Sequence, residues 1–380
     1  MCSSDLLGDG RKLDDFSGSV PEVRTGRSSM TFGPRLLAHV TAGNLPIPAL
    51  QSIVMGLLVK SAQFVKCASG ASLIPRLFVH SLAHTESKVA SCTELATWTG
   101  GRTELEDALF GEADCVTATG SDEAVHALRR RVPHRARFVG YGHRVSFAYV
   151  TEDLLSSYGA RRVVRDAAAD ITAWNQLGCL SPHVIYVEER GVTSPEGFAE
   201  LLAAELAERE KSEPRGPLPI AEAARIAGAR DAYAMRAAQK SDHFERRQRD
   251  SVFTDLPKGL RVFSSEDSTA WTVVYEEDPR FKVSCLHRFI YVKPVAKLAD
   301  VLRYAEVVRH QVSTVAIAAV ENRAVELARD LGRWGVSRVC ALGRMQEPPL
   351  AWRHDGRPAL GELVRWTDLD RKSTRLNSSH

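Results

Sequence analysis

Runs of strand-like and helix-like residues alternate through the first 150 positions, and that alternation limits the chain to few architectures. Leu37–Thr41 (LAHVT) predicts a buried strand that opens into the loop Ala42–Pro48. Ala49–Ala62 carries apolar residues at helical spacing, Gln63–Cys67 is short and strand-like, and Leu73–Ala83 is a second amphipathic helix. Asp114–Ala118 predicts a strand, Ser121–Arg131 a helix and Ala136–Val139 a strand. Helices between strands supply the crossovers that parallel pairing needs, so the pattern predicts a parallel sheet of the dinucleotide-binding type.

The pattern continues downstream. Val145–Val150 and His183–Glu188 predict strands, and Arg161–Gln176 predicts a helix between them. Ser194–Lys211 and Ile220–Gln239 read as helices joined by the Pro/Gly-rich surface link Ser212–Pro219. Trp271–Tyr275 and Phe289–Pro294 are strands, and Lys297–Arg309 and Asn322–Trp334 are helices. With 380 residues there is room for two or three domains. We expect an α/β chain with a nucleotide-binding domain at 7–150 and a second α/β domain at 151–345. A packing or assembly segment at 346–369 follows, then a tail at 370–380. Asp370–His380 and Cys2–Leu6 resemble translated sequencing-library adapters, are set aside, and imply that the native N-terminus is missing.

Charge and cysteine content exclude several classes. Lysine plus arginine (50) nearly balances aspartate plus glutamate (47), so a net charge of +3 gives no electrostatic case for nucleic acid or an anionic membrane. The most apolar stretch, Leu45–Val59, contains Pro46 and Pro48 and is too short to span a bilayer. Seven cysteines without a CxxC give neither a zinc site nor a disulfide framework, which predicts a reducing cytoplasm. His80 and His84 have helical i, i+4 spacing, but the helix is expected to end near Ala83 and Ser81 stands where a metalloprotease has glutamate. No metal site is expected.

Cys179 is the candidate nucleophile. In WNQLGCLSPHVIYVEE (Trp174–Glu189) a helix ends at Gly178, a lone cysteine sits in the turn, and a β-run begins past Pro182. A thiol on such a junction can project into a cleft; the alternative is the inert buried role that most free cysteines fill. The turn Thr119-Gly120-Ser121 lies between a strand and a helix, where free N–H groups and positive potential receive a pyrophosphate. Ser121 is equally a plain N-cap. GYGHRV (Gly140–Val145) ends in valine and enters a strand, so it is no Rossmann fingerprint. The basic run Arg129-Arg130-Arg131, with Arg135 and Arg137, reads first as a helix C-terminus and second as a phosphate contact.

Four segments together resemble the LuxC-type fatty acyl-CoA reductases, a branch of the aldehyde dehydrogenase superfamily. They are Thr41–Leu50, Thr119–Arg129, Phe138–Val150 and Asn175–Glu188, and Gly343–Trp366 adds to the likeness. The resemblance implies an aldehyde-dehydrogenase-like fold with a Rossmann-type cofactor domain and an α/β catalytic domain. It implies Cys179 as the nucleophile that takes the acyl group as a thioester, and Asn44 as a donor to the oxyanion. On residues alone Asn44 is a turn asparagine before a proline, and Lys66 an exposed strand-end lysine. The resemblance places Lys66, Gly120 and Ser121 at the cofactor, NADPH by preference with NADH as the alternative. It implies a fatty acyl-CoA or acyl-protein donor, acyl-protein synthetase or acyltransferase partners, and a homo-oligomer. Phe138–Val150 carries no carboxylate where the superfamily keeps a general base, which suits a reductase better than an oxidising aldehyde dehydrogenase. A non-redox acyl carrier or assembly subunit is the reading from another class.

Overall fold

The computed structural model describes residues 10–19, 22, 26–247 and 259–370. They divide into two compact units, one within Met1–His143 and Pro349–His380, the other within Arg144–Pro348.

The first unit contains β1 (Arg27–Phe32), β2 (Leu36–Val40), α1 (Ile47–Leu58), β3 (Ala62–Cys67), α2 (Leu73–Thr85) and β4 (Thr93–Thr97). A single helical turn, Ser87–Ala90, precedes β4. The unit continues with α3 (Thr103–Glu112), β5 (Cys115–Thr119), α4 (Asp122–Arg129) and β6 (Arg137–Tyr141). Five strands pair in the order β4-β3-β2-β5-β6, all parallel. The chain steps from β2 outward to β3 and β4, then returns to place β5 on the other side of β2. That reversal makes the carboxyl ends of β2 and β5 the switch point at which α/β sheets of this kind bind ligands. Leu37, Ala38, Val65, Val116 and Val139 are buried, because covering helices turn both faces of a parallel sheet inward.

The second unit contains β7 (Val145–Val150), α5 (Ser157–Thr172), β8 (Pro182–Glu188), α6 (Pro195–Ser212), α7 (Ile220–Arg247) and β9 (Leu260–Ser264). It continues with β10 (Thr272–Glu276), β11 (Phe289–Val295), α8 (Leu298–Tyr304), β12 (Val312–Ala318), α9 (Glu321–Trp334) and β13 (Arg338–Ala341). The seven strands run β13-β12-β7-β8-β11-β10-β9, with β9 alone antiparallel to its neighbour. On one face, α6 buries Phe198, Leu202 and Leu206 at four-residue spacing in a cluster shared with α5. Each such side chain removed from water contributes about 1.5–3 kcal/mol. On the other face Ile226, Tyr233, Leu327 and Leu331 close the core.

β14 (Arg365–Asp370) belongs to the first unit and pairs antiparallel with β1. Leu360, Leu363 and Val364 just before it are buried with Leu37 and Val139.

Several expected boundaries move. The division falls after His143 rather than at Val150, because β7 hydrogen-bonds to β8 and β12 of the second sheet. Phe138–Val150 is therefore two strands of different sheets, broken at Gly142–Arg144. The helix expected over Arg161–Gln176 starts earlier, at Ser157, where Ser156 caps it by accepting from Gly159 N. It ends at Thr172, and residues 174–176 turn left-handed. Lys297–Arg309 is a short α-helix followed by a 3₁₀ stretch, Glu306–Gln311. Asp370, the first residue set aside, lies opposite Arg27 in the β1–β14 ribbon. The rest of that tail and Cys2–Leu6 lie outside the described residues.

Candidate active site

Cys179 sits in the turn between α5 and β8 and is half-buried. Its backbone is fixed from several sides. The Ser146 hydroxyl, on β7, donates to the Cys179 carbonyl at 2.8 Å, and Ser181 N donates to the Gly178 carbonyl at 2.9 Å. Gln346 Nε2 donates to Ser181 Oγ at 3.0 Å.

Upstream, Trp174, Asn175 and Gln176 have φ of 54°, 51° and 64°, a run that side chains disfavour and that needs outside support. The support comes from a second left-handed run, Leu286, His287 and Arg288, with φ of 61°, 55° and 67°. His287 N donates to the Asn175 carbonyl at 3.0 Å, and Arg288 Nε donates to Asn175 Oδ1 at 3.0 Å. The fully buried Gln176 amide donates to the Pro182 carbonyl at 2.7 Å and the Phe289 carbonyl at 2.9 Å. Two strained tripeptides thus hold each other, and the thiol-bearing turn hangs from one of them.

His183 lies four residues past the thiol. The Ser284 backbone N–H donates to His183 Nδ1 at 3.1 Å, so Nδ1 is the unprotonated nitrogen of a neutral ring. The remaining cysteines are poor competitors as nucleophiles where burial dominates. It pushes the Cys115 thiol up to about 12 and the Cys340 thiol up to about 11, and it raises those of Cys67 and Cys285. Thiolate, not thiol, is the reactive form.

The carboxylate of Glu188 comes up beside β7, which has none of its own. Glu188 accepts from the Tyr149 hydroxyl, from Glu152 N at 2.9 Å and from Arg323 at 2.5 Å. It stands at the far end of β8 from Cys179, about 20 Å along the strand at roughly 3.3 Å per residue. It clamps strand ends and is no base for the thiol.

In the first unit, Lys66 and the turn Gly120–Ser121 lie at the carboxyl end of one sheet, on either side of β2. Val40 pairs with Lys66 on one side and Ala118 on the other, so the two candidate elements flank the end of β2. Lys66 is buried, at 8% exposure, rather than exposed at a strand end as its position alone suggested. Its carbonyl accepts from Thr41 N at 3.1 Å, which fixes the start of the loop carrying Asn44. Asn44 itself is exposed. Ser121 is the N-cap of α4, its hydroxyl accepting from Ala124 N at 3.2 Å. A Cβ built at Gly120 would meet only Ala124 Cβ, at 3.5 Å, so the space over this turn is open to a phosphate. These residues fit a dinucleotide pyrophosphate.

His80 and His84 share one face after all, since α2 runs on to Thr85; their Nε2 atoms lie 3.1 Å apart. Among the described residues no group of three or more His, Cys, Asp or Glu is placed to hold a metal ion. Among them, too, no helix is long and apolar enough to cross a membrane.

A parallel sheet with a strand-order reversal and a mostly parallel second sheet with a cysteine turn define an aldehyde-dehydrogenase-like fold. Solved structures agree. The chain superposes on the putative aldehyde dehydrogenase PutA of Anabaena variabilis with a TM-score of 0.65 at 15% identity, covering 98% of this chain and 80% of that one. An aldehyde dehydrogenase of Bartonella henselae gives 0.67 at 13% identity, over 96% and 76%.

Within that class, the profile of the family Acyl-CoA reductase (LuxC) matches residues 2–366, and the chain belongs to this family. It is 23% identical over 344 residues to a long-chain acyl-protein thioester reductase of Aliivibrio fischeri, covering 88% of this chain. A second such protein, from Photobacterium leiognathi, is 23% identical over 341 residues, again 88% of this chain. The chain spans 63% and 64% of the length of these relatives.

Proposed function

We propose that this protein reduces a long-chain fatty acyl thioester to the fatty aldehyde, with Cys179 as the acyl-carrying nucleophile and NADPH as reductant. The observation that carries the reading is the half-buried Cys179 on a turn whose carbonyl is pinned by a buried serine. Its relatives are named for acyl-protein thioesters, which favours an acyl-protein donor, supplied by a synthetase or acyltransferase partner, beside acyl-CoA.

The first step exchanges one thioester for another. The Cys179 sulfur bonds to the acyl carbon, and the donor leaves as a free thiol carrying the proton from Cys179. The oxyanion formed on the way takes hydrogen bonds from the Cys179 N–H and, in this proposal, the Asn44 amide. One such donor is worth about 2.7–4 kcal/mol of barrier. Lys66, Gly120 and Ser121 would hold the dinucleotide, whose reduced nicotinamide would supply a hydride to the acyl carbon. With a proton taken up on its oxygen, breakage of the C–S bond would free the aldehyde and return the Cys179 thiol. With Glu188 locked at the other end of β8, this segment supplies no base to activate water against the acyl-enzyme.

Incubation with labelled long-chain acyl-CoA, with and without NADPH, tests this. Label is expected on the wild type and on Cys285→Ala and absent from Cys179→Ala, and NADPH should release it as aldehyde. Labelling of Cys179→Ala equal to wild type overturns the nucleophile. Label retained without aldehyde in the presence of NADPH leaves an acyl carrier instead.

A further inference from the structure

At the amino ends of β2, β5 and β6 the first unit holds a cleft of about 580 Å³. The candidate cofactor turn lies at the carboxyl ends of these parallel strands, about 20 Å away along β5 at roughly 3.3 Å per residue. Four arginines line the cleft: Arg35, Arg135, Arg137 and Arg365. Among the described lining residues Asp114 is the one carboxylate, so the cleft carries an excess of three positive charges (four minus one).

Protein contacts aim these guanidiniums without neutralising most of them. Arg137 spends Nη1 on the carbonyl oxygens of Glu362, at 2.8 Å, and Val364. Arg135 donates through one nitrogen to the Gly111 carbonyl. Arg365 lies over the Phe32 ring, 5.5 Å from its centroid. Arg35 alone meets Asp114, through Nε at 3.4 Å. Carbonyl and ring partners orient an arginine and leave its charge intact. Planar forks so held suit the paired oxygens of phosphoryl groups. Phe32 adds an aromatic face, and the volume suits a ligand of nucleotide size. The basic run at 129–137 is accordingly divided: Arg131 is bound to Glu106 and Asp107, while Arg135 and Arg137 face the cleft.

We propose that this cleft binds a phosphorylated small molecule carrying two phosphoryl groups, at the end of the sheet opposite the cofactor turn. Calorimetric titrations with inorganic pyrophosphate and with adenosine 3′,5′-bisphosphate probe a nucleotide-type and a coenzyme-type source. Binding of either that the double arginine variant below weakens supports the site, and the tighter of the two identifies the source. Arg135→Gln/Arg365→Gln should weaken that affinity at least tenfold with the melting temperature unchanged. Asp114→Asn, which removes the opposing charge and keeps an acceptor for Arg35, should tighten it about threefold. Ser121→Ala should leave it as in wild type. Failure of both probes to bind overturns the proposal. Equal affinity in the double arginine variant does so too, and so does loss of binding in Ser121→Ala alone.

Discussion

The buried hydroxyl of Ser146 donates to the Cys179 carbonyl at 2.8 Å and accepts the Thr314 N–H at 3.2 Å. One side chain therefore ties the Cys179 turn to two adjacent strands, β7 and β12. Ser146→Ala should cost about 1–3 kcal/mol, because the Thr314 N–H stays buried without an acceptor. It should also slow acyl transfer to Cys179 about tenfold by loosening the turn. Chemical denaturation and the rate of acyl-enzyme formation measure the two effects. A stability loss with an unchanged acylation rate would mean that the carbonyl tie does not position the thiol.

Asn175 holds the left-handed run through its side chain as well as its backbone. Its amide donates to the Arg215 carbonyl at 3.1 Å while its Oδ1 accepts from Arg288. Asn175→Gly keeps φ of 51° at no steric cost but loses both bonds, so it should be destabilised by about 1–2 kcal/mol. Asn175→Val also forces a β-branched residue into that region and should lose more. Unfolding midpoints in the order wild type, Gly, Val check this; a valine variant as stable as the glycine variant would show that the run is not strained.

The alternation of elements made both sheets legible because each strand–helix step leaves a local period in the sequence. What the sequence hid has physical reasons. β12 (VSTVAIA) is buried on both faces, so it shows no alternation to read. Ala136–Val139 and Val145–Val150 read as successive strands, but nothing local says that Gly142–Arg144 carries the chain from one sheet to another. The left-handed turn at Trp174–Gln176 uses no glycine, and the matching left-handed run that braces it lies more than a hundred residues away. Cys179 stood out for the opposite reason, since its Gly178 and Pro182 neighbours mark the turn. The arginine cleft draws on segments near 35, 114, 136 and 365, a grouping that exists only after folding.

His39 makes the stability of the first unit depend on pH. It lies buried between the Thr117 hydroxyl at 2.6 Å and Gln63 Oε1 at 3.0 Å, and burial pushes it down to about 4 from an ordinary 6.5. The unfolded chain takes up a proton below 6.5, whereas the folded ring resists until about 4. This contribution is therefore intact above pH 6.5 and lost on the way down to 4, an interval worth about 3 kcal/mol. His39→Asn should be less stable at pH 7.5 yet lose less between pH 7.5 and 4.5 than wild type. Denaturant titrations at both values decide it, and parallel losses would assign the acid sensitivity elsewhere.

Glu188 and Arg323 give the sharpest test of the second unit's electrostatics. Glu188 is 2% exposed, and Arg323 reaches it at 2.5 Å while also meeting Asp153 at 2.8 Å. Replacing the arginine leaves a carboxylate buried beside Tyr149 without its cation, and such breaks cost about 3–5 kcal/mol. Arg323→Met should therefore be strongly destabilised. Adding Glu188→Gln should recover most of the loss, because the amide needs no counter-charge: its oxygen can accept from the Glu152 N–H while its NH2 donates to the Tyr149 hydroxyl oxygen. A double-mutant cycle by denaturant unfolding measures the coupling directly. If the two single losses simply added, the ion pair would not be what holds the ends of β7 and β8 together, and the hydrogen bonds from Tyr149 and Glu152 would carry that role.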